Sequence, residues 1–189
     1  TLKKGDFIGL VGKTGSGKST LVDVMLGLLL PEQGQITLDG KDIRAHMHAW
    51  QRIIGYIPQT ICMTDDTIWS NVALGVNNHE VNEEQLMMAI RDAQLEDFVQ
   101  SLPKGLNTVI GERGIKLSGG QRQRIGIARA LYHQPEILIM DEATSALDNA
   151  TEKAVVASFN HLKKNRTIVM IAHRLTTVQN CNVLYFLKD

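Results

Sequence analysis

The sequence predicts an α/β fold: a mainly parallel sheet flanked by helices, with one helical segment inserted into it. Three observations predict it. Short apolar runs of strand length alternate with stretches of helical periodicity. Ile137-Leu138-Ile139-Met140 is a continuous apolar run, the pattern of a strand covered on both faces. The third quarter of the chain differs in kind, reading as helix with little strand character.

Taken in order, Phe7 to Val11 reads as the first strand and Lys18 to about Leu29 as the helix after it. Gln35 to Leu38 and Ile53 to Ile57 read as strands. From Val81 to Gln100 the apolar positions Leu86, Ile90, Ala93, Leu95, Phe98 and Val99 predict a helix. A further helix runs from Gly119 to Tyr132 and is stopped by Pro135. Strand and helix then alternate again: Ile137 to Met140, a helix over Glu152 to Leu162, and strands at Thr167 to Ile171 and Val183 to Leu187. The helical insert spans about residues 75–130, leaving a core of about 1–74 and 131–189.

Bulk properties bound the function. The 189 residues are 43% hydrophobic, enough for one domain with a sizeable core. Twenty basic residues balance twenty acidic ones, so no global field draws the chain to nucleic acid or to an anionic membrane. Cys62 and Cys181 match no metal or redox spacing, which fits inert thiols in a reducing compartment. The most apolar run, Leu21 to Leu30, is ten residues long and contains Asp23, against the roughly 20 needed to span a bilayer. The opening Thr1-Leu2-Lys3-Lys4-Gly5-Asp6 does not resemble a signal peptide, so any membrane part is expected elsewhere.

The chemistry begins at Gly12-Lys13-Thr14-Gly15-Ser16-Gly17-Lys18-Ser19, followed by Thr20. A Gly-x-x-x-x-Gly-Lys-Ser run between an apolar strand and an apolar-rich helix is a phosphate-binding loop, the mark of a P-loop NTPase core. Gly12, Gly15 and Gly17 let backbone N–H groups turn inward around phosphate oxygens, and the helix beginning at Lys18 aims its positive end at the same anion. Lys18 supplies a cation for the β and γ phosphates, and Ser19 a hydroxyl for Mg²⁺. Small-molecule kinases and GTPases share such a loop. Asp141 and Glu142 follow the buried strand, at the sheet edge where ligands bind in α/β folds. Asp141 suits a carboxylate that holds Mg²⁺, and Glu142 one that orients or deprotonates an attacking water. Acidic residues are also common at helix entries, so the pair alone does not decide the reaction.

Leu117-Ser118-Gly119-Gly120-Gln121 narrows the class. Ser118 and Gln121 have capping-box spacing, and the two glycines leave N–H groups open to an anion. With Arg122-Gln123-Arg124 and Ala128-Arg129-Ala130-Leu131, the segment closely resembles the signature motif and helix of ABC transporter ATPases. Other elements follow in the family's order. Gln59 resembles the Q-loop glutamine, Ser145-Ala146-Leu147-Asp148 the D-loop, and His173 the switch histidine. Thr108 to Gly114 resembles the X-loop of exporters, departing from its usual glutamate-containing form, and Asp65 to Val72 the exporter segment that leads into the helical subdomain. The paired aspartates Asp65 and Asp66 resemble those of bacterial flippases for lipid-linked oligosaccharides or polysaccharides.

The resemblance implies a RecA-like core with a helical signature subdomain, ATP and Mg²⁺ as ligands, and hydrolysis coupled to export. Lys18, Gln59, Glu142 and His173 would carry the reaction, and Ser19, Gln59 and Asp141 would surround the metal. Gly12 to Thr20 would hold the phosphates of one cassette, while Leu117 to Gln121 and Asp148 of a second, head-to-tail cassette closed the site as a homodimer or heterodimer. A transmembrane domain, fused or separate, would place the cassette at the cytoplasmic face of a membrane, the bacterial inner membrane by the flippase resemblance. Family cassettes also carry an aromatic residue ahead of the loop that stacks on adenine, whereas Phe7 lies inside a strand. With C-terminal helices also missing, the resemblance implies a cassette truncated at both ends. Two competing classes share the motifs: ABC ATPases of DNA repair or chromosome maintenance, and regulatory ATP-binding modules. The first carries a long coiled coil between loop and signature, and no sustained heptads lie between Ser19 and Leu117. Intact Glu142 and His173 speak against the second.

Overall fold

The computed structural model describes residues 1–142, 147–162, 166–171, 178 and 181–188. Five strands form one parallel sheet: β1 (Phe7–Gly12), β4 (Ile54–Ile57), β5 (Ile137–Asp141), β6 (Thr167–Ile171) and β7 (Val183–Leu187), in the order β4-β5-β6-β1-β7. The mainly parallel α/β sheet expected from the alternation is present. Two further strands among the described residues, β2 (Thr37–Leu38) and β3 (Lys41–Asp42), make a short antiparallel hairpin where one strand over Gln35 to Leu38 was expected. The hairpin turns on Asp39 and Gly40, at φ 49° and 80°.

Side chains alternate across the sheet, and on β1, β5 and β6 both faces are buried. Leu138 and Met140 of β5, Ile168 and Met170 of β6, and Phe7 of β1 belong to one apolar cluster. Ile139, Val169, Ile171, Ile8 and Leu10 belong to another, with Val22 and Leu26. This is why the strands read as unbroken apolar runs. Helix α1 (Lys18–Met25) contributes Val22 to the second cluster, while α6 (Gly119–Tyr132) and α7 (Asn149–Leu162) contribute Ile125, Ile127, Val155 and Phe159 to the first. The helices between β4 and β5, α3 (Ile68–Val72), α4 (Glu83–Asp92) and α5 (Glu96–Ser101), join that same first cluster through Ile68, Leu86, Ile90 and Val99. A short α2 (Met47–Arg52) precedes β4.

Two expected helices end early, each for a local reason. α1 stops at Met25: Gly27 takes φ 73°, with Gly27 N–H donating to Val24 O and Leu28 N–H to Asp23 O. That is a Schellman closure, and it leaves Leu28, Leu29 and Leu30 exposed outside the helix. The helix expected over Val81 to Gln100 is two, because Gln94 adopts φ 56° and makes the same closure onto Arg91 O and Ile90 O through its own N–H and that of Leu95. A left-handed glutamine is rarer than a left-handed glycine, so no local signal announced this break. Leu95, fully buried, supplies the apolar contact that makes the turn worth its strain.

A polar node at Asn71, which is 0% exposed, ties α3 to α6 and to the segment after β4. Its Oδ1 accepts from Thr64 N–H at 3.0 Å, Thr64 Oγ1 at 3.1 Å and Arg129 Nη2 at 3.2 Å, and its Nδ2 donates to Thr64 O at 3.1 Å and Thr67 O at 2.9 Å. Arg129, on α6, also donates to Asn71 O and Cys62 O, and burial lowers its pKa from the ordinary value. Each unpaired buried polar group costs about 1–3 kcal/mol. Asn71→Ala is therefore expected to destabilise the chain by about 3 kcal/mol and lower its melting temperature by roughly 6–12 °C in calorimetry. A shift under about 2 °C would refute the node's role. Neither cysteine is in a disulfide: Cys62 is exposed, and burial pushes the Cys181 thiol up to about 11.

Candidate functional site

The phosphate loop leaves the carboxyl end of β1 and runs directly into α1. Gly15 and Gly17 sit at φ 86° and 83°, and nothing lies within 4 Å of where a Cβ would stand on either. The loop is therefore open on that side, as a cradle for an anion must be. At Gly12 an added Cβ would meet Ser16 Oγ at 2.5 Å and Leu187 O at 2.7 Å, so glycine is the residue that fits between loop and β7. Gly17 caps α1 with no side chain, which leaves the helix's first N–H groups unclaimed by a cap. Lys18 is 7% exposed, and its Nζ donates to Gly12 O at 2.9 Å and Lys13 O at 2.7 Å. Ser16 Oγ is buried with no hydrogen-bond partner among the described residues. An orphaned hydroxyl, an uncapped helix start and a buried cation fit a polyphosphate.

Asp141, Gln59 and Glu142 gather at the same sheet edge. Strand register sets Asp141 level with Ile171, which is level with Leu10, two residues before Gly12. Ile57 is level with Met140, so Gln59 and Glu142 each lie two residues beyond a matched pair. Across that gap Gln59 Nε2 donates to Glu142 Oε2 at 3.0 Å, joining residues 83 positions apart in the chain. Glu142 adopts φ 50°, a left-handed conformation that costs a non-glycine residue about 1–2 kcal/mol. Its N–H donates to Ile171 O at 3.3 Å, and its carbonyl accepts from Gln123 Nε2 at 3.3 Å. Ser19 and Thr20 are exposed at the start of α1. Ser19, Asp141 and Gln59 offer hydroxyl, carboxylate and amide oxygens, the hard donors that Mg²⁺ takes.

The signature segment behaves locally as its spacing predicts. Ser118 caps α6: its Oγ accepts from Gln121 N–H at 3.1 Å, and Gln121 Oε1 accepts from Ser118 N–H at 2.8 Å. Leu117 is buried beneath, while Ser118 is exposed and Gly119 and Gly120 partly so. α6 packs on α3, α4 and β4. In this chain Asp148 caps a helix. Both carboxylate oxygens cap α7, accepting from Ala150 N–H, Thr151 N–H and Thr151 Oγ1 at 3.0, 3.0 and 2.6 Å. The Thr151 hydroxyl bond holds this carboxyl below its ordinary range. The cap also starts α7 at Asn149, three residues before the expected Glu152. His173, Ser145 and Ala146 lie outside the described residues. Phe7 is fully buried and offers no face to a base. Sequence reasoning passed over Gln123 as a site residue; the available signal was an amide side chain next to the apolar run Ile125 to Ala128.

Fold and loop together define a nucleotide-binding α/β domain. The family model for the ABC transporter matches residues 1–145. Among curated relatives, the alpha-hemolysin translocation ATP-binding protein HlyB of Escherichia coli is 47% identical over 182 residues, which is 96% of this chain and 26% of that protein. The ABC multidrug transporter atrD of Emericella nidulans is 42% identical over 98% of this chain and 14% of its own length. A solved bacterial Atm1-family ABC exporter with ATP bound superposes with a TM-score of 0.91 at 37% identity, covering 99% of this chain and 32% of that one. The chain belongs to the ABC transporter family, as a nucleotide-binding domain of the exporter type. It spans about a quarter or less of those two curated relatives. No helix among the described residues is long and apolar enough to cross a membrane.

Proposed function

We propose that this chain binds ATP with Mg²⁺ and hydrolyses it to power export across a membrane, as the cytoplasmic-face cassette of a larger transporter. The observation that carries the reading is the convergence of the open phosphate loop, Asp141 and the Gln59–Glu142 pair at one sheet edge. Backbone N–H groups from Gly12 to Thr20 would hold the phosphates, with Lys18 turning from the loop carbonyls to the β and γ oxygens. Ser19, Asp141 and Gln59 would hold Mg²⁺, which would supply charge neutralisation at the phosphates. Glu142 accepts the proton of the attacking water, kept in register by the Gln59 amide. His173 would meet the γ-phosphate.

The same reading assigns residues of about 75–130 to a helical signature subdomain and the rest to the RecA-like core. Leu117 to Gln121 and Asp148 then face the nucleotide of a second, head-to-tail cassette. One feature supports the dimer: Ser118 is exposed at a capped helix start and is followed by paired glycines, which weaken a helix. The flat charge balance and the transporter relatives favour this over a nucleic-acid machine. The test is phosphate release by the intact protein with and without Mg²⁺, beside light scattering with ATP present. Mg²⁺-dependent turnover and ATP-dependent pairing are expected. Tight ATP binding with no turnover would replace this reading by a regulatory module.

A further inference from the structure

Gln123 stands outside the segment assigned to nucleotide, yet it touches the proposed base. It is 3% exposed on α6. Burying an amide is costly unless it is hydrogen-bonded, and its Nε2 donates at 3.3 Å to the carbonyl of Glu142. That carbonyl belongs to the left-handed residue at φ 50° that ends the β5 edge. A non-glycine residue keeps such a conformation only where its surroundings over-determine it. Among the described residues Glu142 is held at its N–H by Ile171 on β6, at its carboxylate by Gln59 beyond β4, and at its carbonyl by Gln123 on α6.

We propose that Gln123 is a positioning residue: it clamps the Glu142 peptide in its left-handed turn and so holds the carboxylate at the water-attack position beside Gln59. The proposal rests on the reading of Glu142 as the base. It also fastens the signature helix, whose first turn would meet the second cassette's nucleotide, to the base of its own site. Ser118 and Gln123 lie five residues apart on that one helix. Gln123 moves no proton and touches no nucleotide.

The experiment compares Gln123→Met, which keeps the bulk and loses the donor, with Gln123→His, whose Nε2–H lies at a similar reach. Steady-state kinetics of ATP hydrolysis are measured on the intact protein, with Glu142→Gln alongside. A carboxylate displaced by about 1 Å costs up to about a hundredfold. Gln123→Met is expected to lower kcat about ten- to a hundredfold with KM for ATP within about twofold, and Gln123→His to recover most of that loss. Equal losses in both variants, or a rise in KM that accounts for the change, would overturn the positioning role. Should Gln123→Met melt early, Gln123→His decides alone, and wild-type folding with Met-like turnover refutes the proposal. Glu142→Gln separates the two failures. If it is inactive while Gln123→Met turns over normally, only the clamp is wrong; if it hydrolyses normally, the base assignment and the clamp fall together.

Discussion

Glu142→Gln is expected to lower the ATP hydrolysis rate by about 10²- to 10⁴-fold while ATP affinity stays within about threefold. The substitution is nearly isosteric, and the new amide oxygen can still accept from Gln59 Nε2, now 3.0 Å from the carboxylate. The left-handed turn at residue 142 and its backbone bonds to Ile171 and Gln123 involve no carboxylate atom, so they persist. What disappears is the ability to take a proton from water. Single-turnover phosphate release and equilibrium titration with a fluorescent ATP analogue report the two quantities separately. A variant that retains turnover within about threefold would remove Glu142 from the reaction.

The second large effect is at the loop. Lys18→Ala should weaken ATP binding by about 10- to 150-fold, the equivalent of about 1.5–3 kcal/mol for a hydrogen bond to a charged group. Lys18 is buried at the floor of the loop and holds it through Gly12 O and Lys13 O at 2.9 and 2.7 Å. The loop thus loses a cation for the phosphates and an internal tie in one change. Arginine is not an equivalent replacement, because its planar five-donor fork is larger than the space a single ammonium occupies between two carbonyls. Isothermal titration with Mg²⁺-ATP measures the loss. Affinity unchanged within about twofold would mean that the loop is not the phosphate site.

The elements that local sequence specifies were legible. β1, β5 and β6 read as apolar runs because a parallel strand buried on both faces has no polar side to interrupt it. The Ser118–Gln121 capping box was legible because its two partners lie three residues apart, within one helical turn. The early start of α7 was equally local. Asp148 stands directly before Asn149 and Ala150, in a cap position. The break at Gln94 was not legible, since nothing in a glutamine announces φ 56°; the burial of Leu95 imposes it.

By itself, then, the sequence determined the fold class, the phosphate loop and the chemical types collected around it. Those depend on strand and helix periodicity and on motifs a few residues long. Only the tertiary structure decided which side chains meet across the sheet edge. The Gln59–Glu142 bond spans 83 residues, and the clamp from Gln123 to the Glu142 carbonyl spans 19. Both depend on which strands are neighbours and on the register β4 and β5 adopt, and those follow from packing the whole core at once.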